Sequence, residues 1–180
     1  MATKNKVMQP APLPQRVLYQ MAVGHYQSRA IGLAAKLRIA DLLKDGPRHF
    51  GDLARATGTD AAALNRVLRL LASVGVFEEK DSGNFALTTL GECLREDVPG
   101  SARALVMMFA GDRQHNAWKD LEYSVRTGEP SYRNRGFDNV FTEIAQSPEG
   151  LPTSMLRWPI QLGWSRLQWP MLTISARCGR

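Results

Sequence analysis

The chain has 180 residues, 44% of them hydrophobic and 22% charged, which suits one soluble globular domain with appendages and excludes a low-complexity protein. Its net charge of +6 is misleading, because residues 151–180 hold four Arg and no acid, leaving 19 basic and 17 acidic groups in residues 1–150. Such a near-neutral body demands neither nucleic acid nor an anionic membrane as partner.

Residues 1–14, with three Pro, read as a flexible arm, and they lack the apolar run of a signal peptide. No stretch is long and apolar enough to span a membrane, so a cytoplasmic location is expected. A helical pattern starts at Pro14, where Val17, Leu18, Met21, Ala22 and Tyr26 recur three and four apart. A second helix is expected over residues 28–43, with Ile31, Ala34, Ala35, Leu42 and Leu43 on one face and Gly46-Pro47 as its stop. Two apolar-faced helices ahead of any sheet have little of their own chain to bury against. Helices of this kind often pack on a partner subunit.

Residues 50–95 carry the clearest pattern. "FGDLARATG" reads as a short helix ended by Gly58. "TDAAALNRVLRLLASVG" reads as a longer one, with Asp60 as N-cap, Leu64, Val67, Leu68 and Leu71 on one face, and Gly75 as terminator. "VFEEKDSGNFAL" alternates about a Ser-Gly-Asn turn as a hairpin does, and "TTLGECLRE" opens another helix. Helix, turn, helix, hairpin, helix is the winged-helix arrangement, so the fold class is mainly α with a two-stranded wing. Beyond it, "SARALVMMFAG", "RQHNAWKDLEYSVRTG" and "FDNVFTEIAQSPE" read as three helices, with "EPSYRNRG" a loop between the last two.

A helix-turn-helix raises the question of DNA. Helix 60–73 would present Asn65, Arg66 and Arg69 to a major groove, or the same three helices serve as a packing module with those Arg residues solvated. The near-neutral charge of residues 1–150 favours packing. His25, His49 and His115 have no partners at ligand spacing, and Cys93 and Cys178 lie far apart, so surface or capping roles are expected and no metal. Arg133 and Arg135 could meet an anion, though a solvated loop is the plainer expectation. Met107, Met108, Phe109 and Trp118 form an apolar cluster across two adjacent helices, either core or the lining of a pocket for a flat ligand. The fifteen glycines include no G-x-G, and no catalytic constellation is legible.

"YQMAVGHYQSRAIGLAAKLRIADLL", "FGDLARATGTDAAALNRVLRLLASVGVFEE" and "FALTTLGECLRED" together resemble the N-terminal part of S-adenosylmethionine-dependent O-methyltransferases of the hydroxyindole and hydroxyneurosporene type. The resemblance spans about residues 15–149. It implies a dimerisation and winged-helix domain over residues 15–98 that does not bind DNA, and a helical substrate roof over residues 99–149. It places Met107, Met108, Phe109 and Trp118 towards a small aromatic or polyketide-like acceptor bearing a hydroxyl. It also implies that the methyl donor binds in a following domain, so this chain by itself is expected to bind no S-adenosylmethionine and to act as a homodimeric, catalytically silent module. A DNA-binding regulator and a dimerisation partner of full-length methyltransferases are the alternatives.

The wording changes at about Gly150. Residues 150–180 hold Trp158, Trp164, Trp169, three Pro and four Arg, with no Asp, Glu or Lys. Pro159 and Pro170 directly follow two of those Trp, which breaks any helical face that could lie on a membrane. Codons can be chosen for "LQWPMLTISA" that read Ala-Ala-Val-Ala-Asp-Ala-Tyr-Asp-Phe-Ser in a shifted frame, which is the family's wording here. An out-of-frame end to a truncated gene is therefore the expectation for this segment.

Overall fold

The computed structural model describes residues 13–146. The expected arm up to residue 12 and the expected tail, with its three Trp and Cys178, lie outside the described residues.

Helix α1 (Pro14–Lys36) begins with Pro at its first turn and runs unbroken through the point where two helices were expected. Gly24 does not interrupt it, because glycine inside a helix costs only about 1 kcal/mol and its neighbours keep their hydrogen-bond ladder. The break comes later, at Arg38, which adopts a left-handed conformation (φ 57°) before the single turn α2 (Ile39–Leu42). Among the described residues Arg38 is alone in combining a side chain with positive φ. It is braced there by ion pairs to Asp41 at 3.5 Å and to Glu96.

Helices α3 (Phe50–Thr57) and α4 (Ala61–Ser73) form the helix-turn-helix. Gly58 turns the chain at φ 66°, and the Asp60 carboxylate accepts from the Ala63 amide at 2.7 Å, satisfying one of the donors a helix start leaves open. Leu64, Leu68 and Leu71 are the buried face of α4. Strands β2 (Phe77–Glu79) and β3 (Asn84–Leu87) make the wing, joined by a tight 3-10 turn at Asp81–Gly83. A further strand, β1 (Arg48–His49), pairs antiparallel with β3, so the sheet has three strands in the order β1-β3-β2. Two residues are too few to show a period, and β1 exists only because β3 offers it a ladder. Helix α5 (Thr89–Glu92) follows, capped by the Thr88 hydroxyl, which accepts from the Gly91 amide at 3.1 Å.

One core unites these parts. Phe77, Phe85, Ile39, Leu43, Leu53, Leu68 and Leu71 are fully buried, with Ala30 and Ala34 of α1 against them. The first half of α1 takes no part in it. Leu13, Leu18, Tyr19 and Met21 are each 67–73% exposed, and Tyr26 is 57% exposed.

The remaining helices are α6 (Arg103–Ala110), α7 (Asp112–Lys119), α8 (Leu121–Thr127), α9 (Ser131–Asn134) and α10 (Val140–Gln146). The single helix expected over "RQHNAWKDLEYSVRTG" is thus broken at Asp120, whose carboxylate is recruited elsewhere, and the expected loop contains the turn α9. Arg135 is no solvated loop residue. Its guanidinium pairs with Asp120 and, at 2.6 Å, with Glu143 of α10, while Asn134 donates to Asp120 at 2.8 Å. Asn134, then Arg135, hold the Asp120 carboxyl below the usual carboxylate range. Three segments are pinned by charge where their apolar contact is thin. No helix among the described residues is long and apolar enough to cross a membrane.

Candidate functional site

The candidate site is built where α1 crosses α6. Gly32 makes the crossing possible: a Cβ placed there would lie 2.6 Å from the Ala110 Cβ. The Arg29 side chain, one turn earlier, donates to the Ala110 carbonyl at 3.0 Å and to Asp112 at 2.7 Å. One guanidinium therefore ties α1 to the end of α6 and the start of α7. That bond is also the main reason the Asp112 carboxyl sits below its ordinary range.

On either side of this tie lies a concavity. The larger, about 360 Å³, is lined by Gly24, His25, Ser28 and Arg29 of α1 with Phe109, Ala110, His115 and Trp118 of α6 and α7. The smaller, about 120 Å³, is lined by Leu33, Lys36, Met107 and Asp112 about the Gly32–Ala110 contact. Phe109 and Trp118, 42% and 48% exposed, thus share one groove. Met107 faces the other, and half-buried Met108 lines neither. The four residues singled out in the sequence therefore do not share one concavity. Half of the larger groove's lining comes from α1, about 80 residues away in sequence, and no local pattern announces it. The small residues Gly24, Ser28 and Gly32, four apart, are the signal that a helix would approach here.

The histidines divide. His25 lines the larger groove with its Nδ1 3.0 Å from the Ala22 carbonyl, and half-buried His115 stands opposite on α7. His49 instead caps α3, its Nδ1 accepting from the Gly51 amide at 3.1 Å. On the winged helix, Arg69 pairs with Glu79 of the wing at 3.2 Å, Arg66 is exposed, and the Asn65 Oδ1 is buried without a hydrogen-bond partner.

A winged helix fused to a long N-terminal helix with an uncovered apolar half defines a dimerisation module. The corresponding family model, O-methyltransferase dimerisation domain, matches residues 19–97. The chain belongs to the O-methyltransferases that carry this domain. It is 39% identical over 147 residues to the phenazine O-methyltransferase PhzM of Lysobacter antibioticus, covering 82% of this chain and 42% of the relative. The crystal structure of LaPhzM superposes with a TM-score of 0.71 at 40% identity, over 77% of this chain and 41% of that one. CalO1, a methyltransferase of calicheamicin biosynthesis solved with S-adenosylhomocysteine bound, gives a TM-score of 0.58 at 43% identity, over 64% and 34%. The chain spans about two fifths of the length of the curated relatives it matches.

Proposed function

We propose that residues 15–98 hold two copies of this chain together, and that residues 99–149 form part of a roof over a small aromatic or polyketide-like acceptor. The parent activity in this reading is methyl transfer from S-adenosylmethionine to an acceptor hydroxyl, with the donor bound by none of the described residues. In this reading the protein is a cytoplasmic homodimer, and the described residues hold its subunits together. The observation that carries it is the uncovered first half of α1: a helix about 34 Å long that leaves Leu18, Tyr19 and Met21 to water needs a second surface.

Sedimentation of the purified chain tests it. A dimer is expected, and Met21→Glu should weaken it at least tenfold, because each buried apolar side chain contributes roughly 1.5–3 kcal/mol and a two-fold interface counts the change twice. A monomer at micromolar concentration, or a dimer indifferent to Met21→Glu, would overturn the assignment.

The pairing of Arg69 with Glu79 of its own wing supports a packing role for the winged helix, since the acid offsets positive charge that a DNA-binding face would present. In this reading nucleic acid and membrane are not partners. Phe109 and Trp118 line the roof, and Met107 and Met108 support it from outside the larger groove.

A further inference from the structure

Helix α7 walls one side of the larger groove through His115 and Trp118, yet it buries none of its own side chains. Of its eight residues only Ala117 and Trp118 are apolar, and Trp118 is exposed. Burial of apolar surface, which holds α4 to the core, therefore contributes little to keeping α7 in place.

Polar fastenings at its two ends stand in for a core. At the start, Arg29 of α1 donates to the Asp112 carboxylate at 2.7 Å and to the preceding Ala110 carbonyl at 3.0 Å. At the far end, Arg135 donates to the Asn116 carbonyl at 3.2 Å and pairs with Asp120, whose carboxylate also accepts from Asn134 at 2.8 Å. The bond to Asn116 satisfies one of the carbonyls that a helix end leaves open. The two fastenings differ in strength. Arg29 and Asp112 are exposed, whereas Arg135 and Asp120 are half-buried, so water and salt weaken the first more than the second.

No buried side chain between the fastenings can hold part of α7 once an end lets go. A helix of about two turns does not persist alone, because nucleation costs more than so few hydrogen bonds return. Gly111, extended at ψ 167° between α6 and α7, interrupts the helical ladder, so the loss need not spread into α6. We infer that α7 is a gate: it leaves the larger groove as one cooperative piece, and Arg29 and Arg135 set how often. With α7 away, the groove loses His115 and Trp118 and lies open along that side. The inference concerns the wall and does not depend on what the groove holds.

Amide hydrogen exchange, read residue by residue by NMR on the full chain at one protein concentration, tests it. In the unaltered chain the amides of His115 to Lys119 should share one protection factor, at least about tenfold below those of Leu68 and Leu71 in α4. Arg29→Met should speed all of them by one factor of about three, including Lys119 at the far end, and Arg135→Met by about tenfold. Asp112→Asn, which weakens the Arg29 fastening from the other side, should likewise reach Lys119. Exchange that quickens at His115 while Lys119 stays protected means fraying from one end, and overturns the gate. Protection in α7 equal to that in α4 overturns it too, because the helix would then open only when the whole domain unfolds.

Discussion

Gly32 and Gly24 occupy the same helix eight residues apart, and alanine at each should move stability in opposite directions. At Gly24 a new Cβ meets nothing within 4 Å, so the exchange only removes backbone freedom from the unfolded chain and should stabilise by about 0.5–1 kcal/mol. At Gly32 the same methyl gains the same helix preference but arrives 2.6 Å from the Ala110 Cβ, with the Ala110 carbonyl oxygen at 3.4 Å. Neither atom is the movable end of a long side chain, so α1 and α6 must separate by about 1 Å to reach ordinary contact at roughly 3.5–4.0 Å. Overpacking of this kind costs roughly 1–3 kcal/mol. The separation also stretches the Arg29 bonds to Ala110 and Asp112, which span the same crossing. Setting the cost against the helix gain leaves Gly32→Ala destabilised by about 0–2 kcal/mol, and about 1–3 kcal/mol below Gly24→Ala. Urea unfolding at one fixed protomer concentration measures the difference, because a dimer's midpoint depends on concentration. If Gly32→Ala proves as stable as Gly24→Ala, the α1–α6 crossing is not as close as described and the grooves beside it lose their floor.

Other consequences are simpler to state. Asp60→Ala should cost about 1 kcal/mol by uncapping α4, read from the same urea midpoint, and Asp60→Asn should recover most of it. Arg69→Ala should change stability by less than about 1 kcal/mol, because its pair with Glu79 is largely exposed. Arg135→Met should raise amide exchange in α10 while sparing α4, since Arg135 joins α10 to Asp120 through Glu143. Asp112 and Asp120 both have folded pKa values below their ordinary ones, so their contribution is present above the normal carboxylate range and lost as pH falls through the lowered folded values. Order in α7 to α10 should therefore fall as pH drops below about 4, and Asp120→Asn should flatten that fall. An unchanged acid profile in that variant would remove Asp120 from the account.

The legible parts of this fold are those decided within a few residues. Asp60 could be named as a cap, and Gly58 and Gly75 as stops, because capping oxygens and positive φ are local requirements. The wing was readable from its alternation, and α4 from Leu64, Leu68 and Leu71. What depended on distant partners was not readable. Strand β1 is two residues long and owes its existence to β3. Helix α1 reads as two stretches, up to Tyr26 and from residue 28, whereas the actual break at Arg38 is braced by Asp41 and Glu96 from later in the chain. Arg135 reads as a solvated loop residue because neither Asp120 nor Glu143 is near it in helical phase. The same division runs through the candidate site. Phe109 and Trp118 could be named from their own helices, but His25, Ser28 and Arg29 join them only through a crossing that Gly32 permits.

That crossing gives α1 two occupations. Its exposed first half is offered to a second copy of the chain, and the stretch from Gly24 to Arg29 forms a wall of the larger groove. In the proposed dimer one helix touches both surfaces. Association and ligand uptake are then bound by reciprocity: whatever factor dimerisation adds to a ligand's affinity, the ligand must return to the dimer. Where that factor exceeds one, dilution of the dimer loosens a ligand held in the groove.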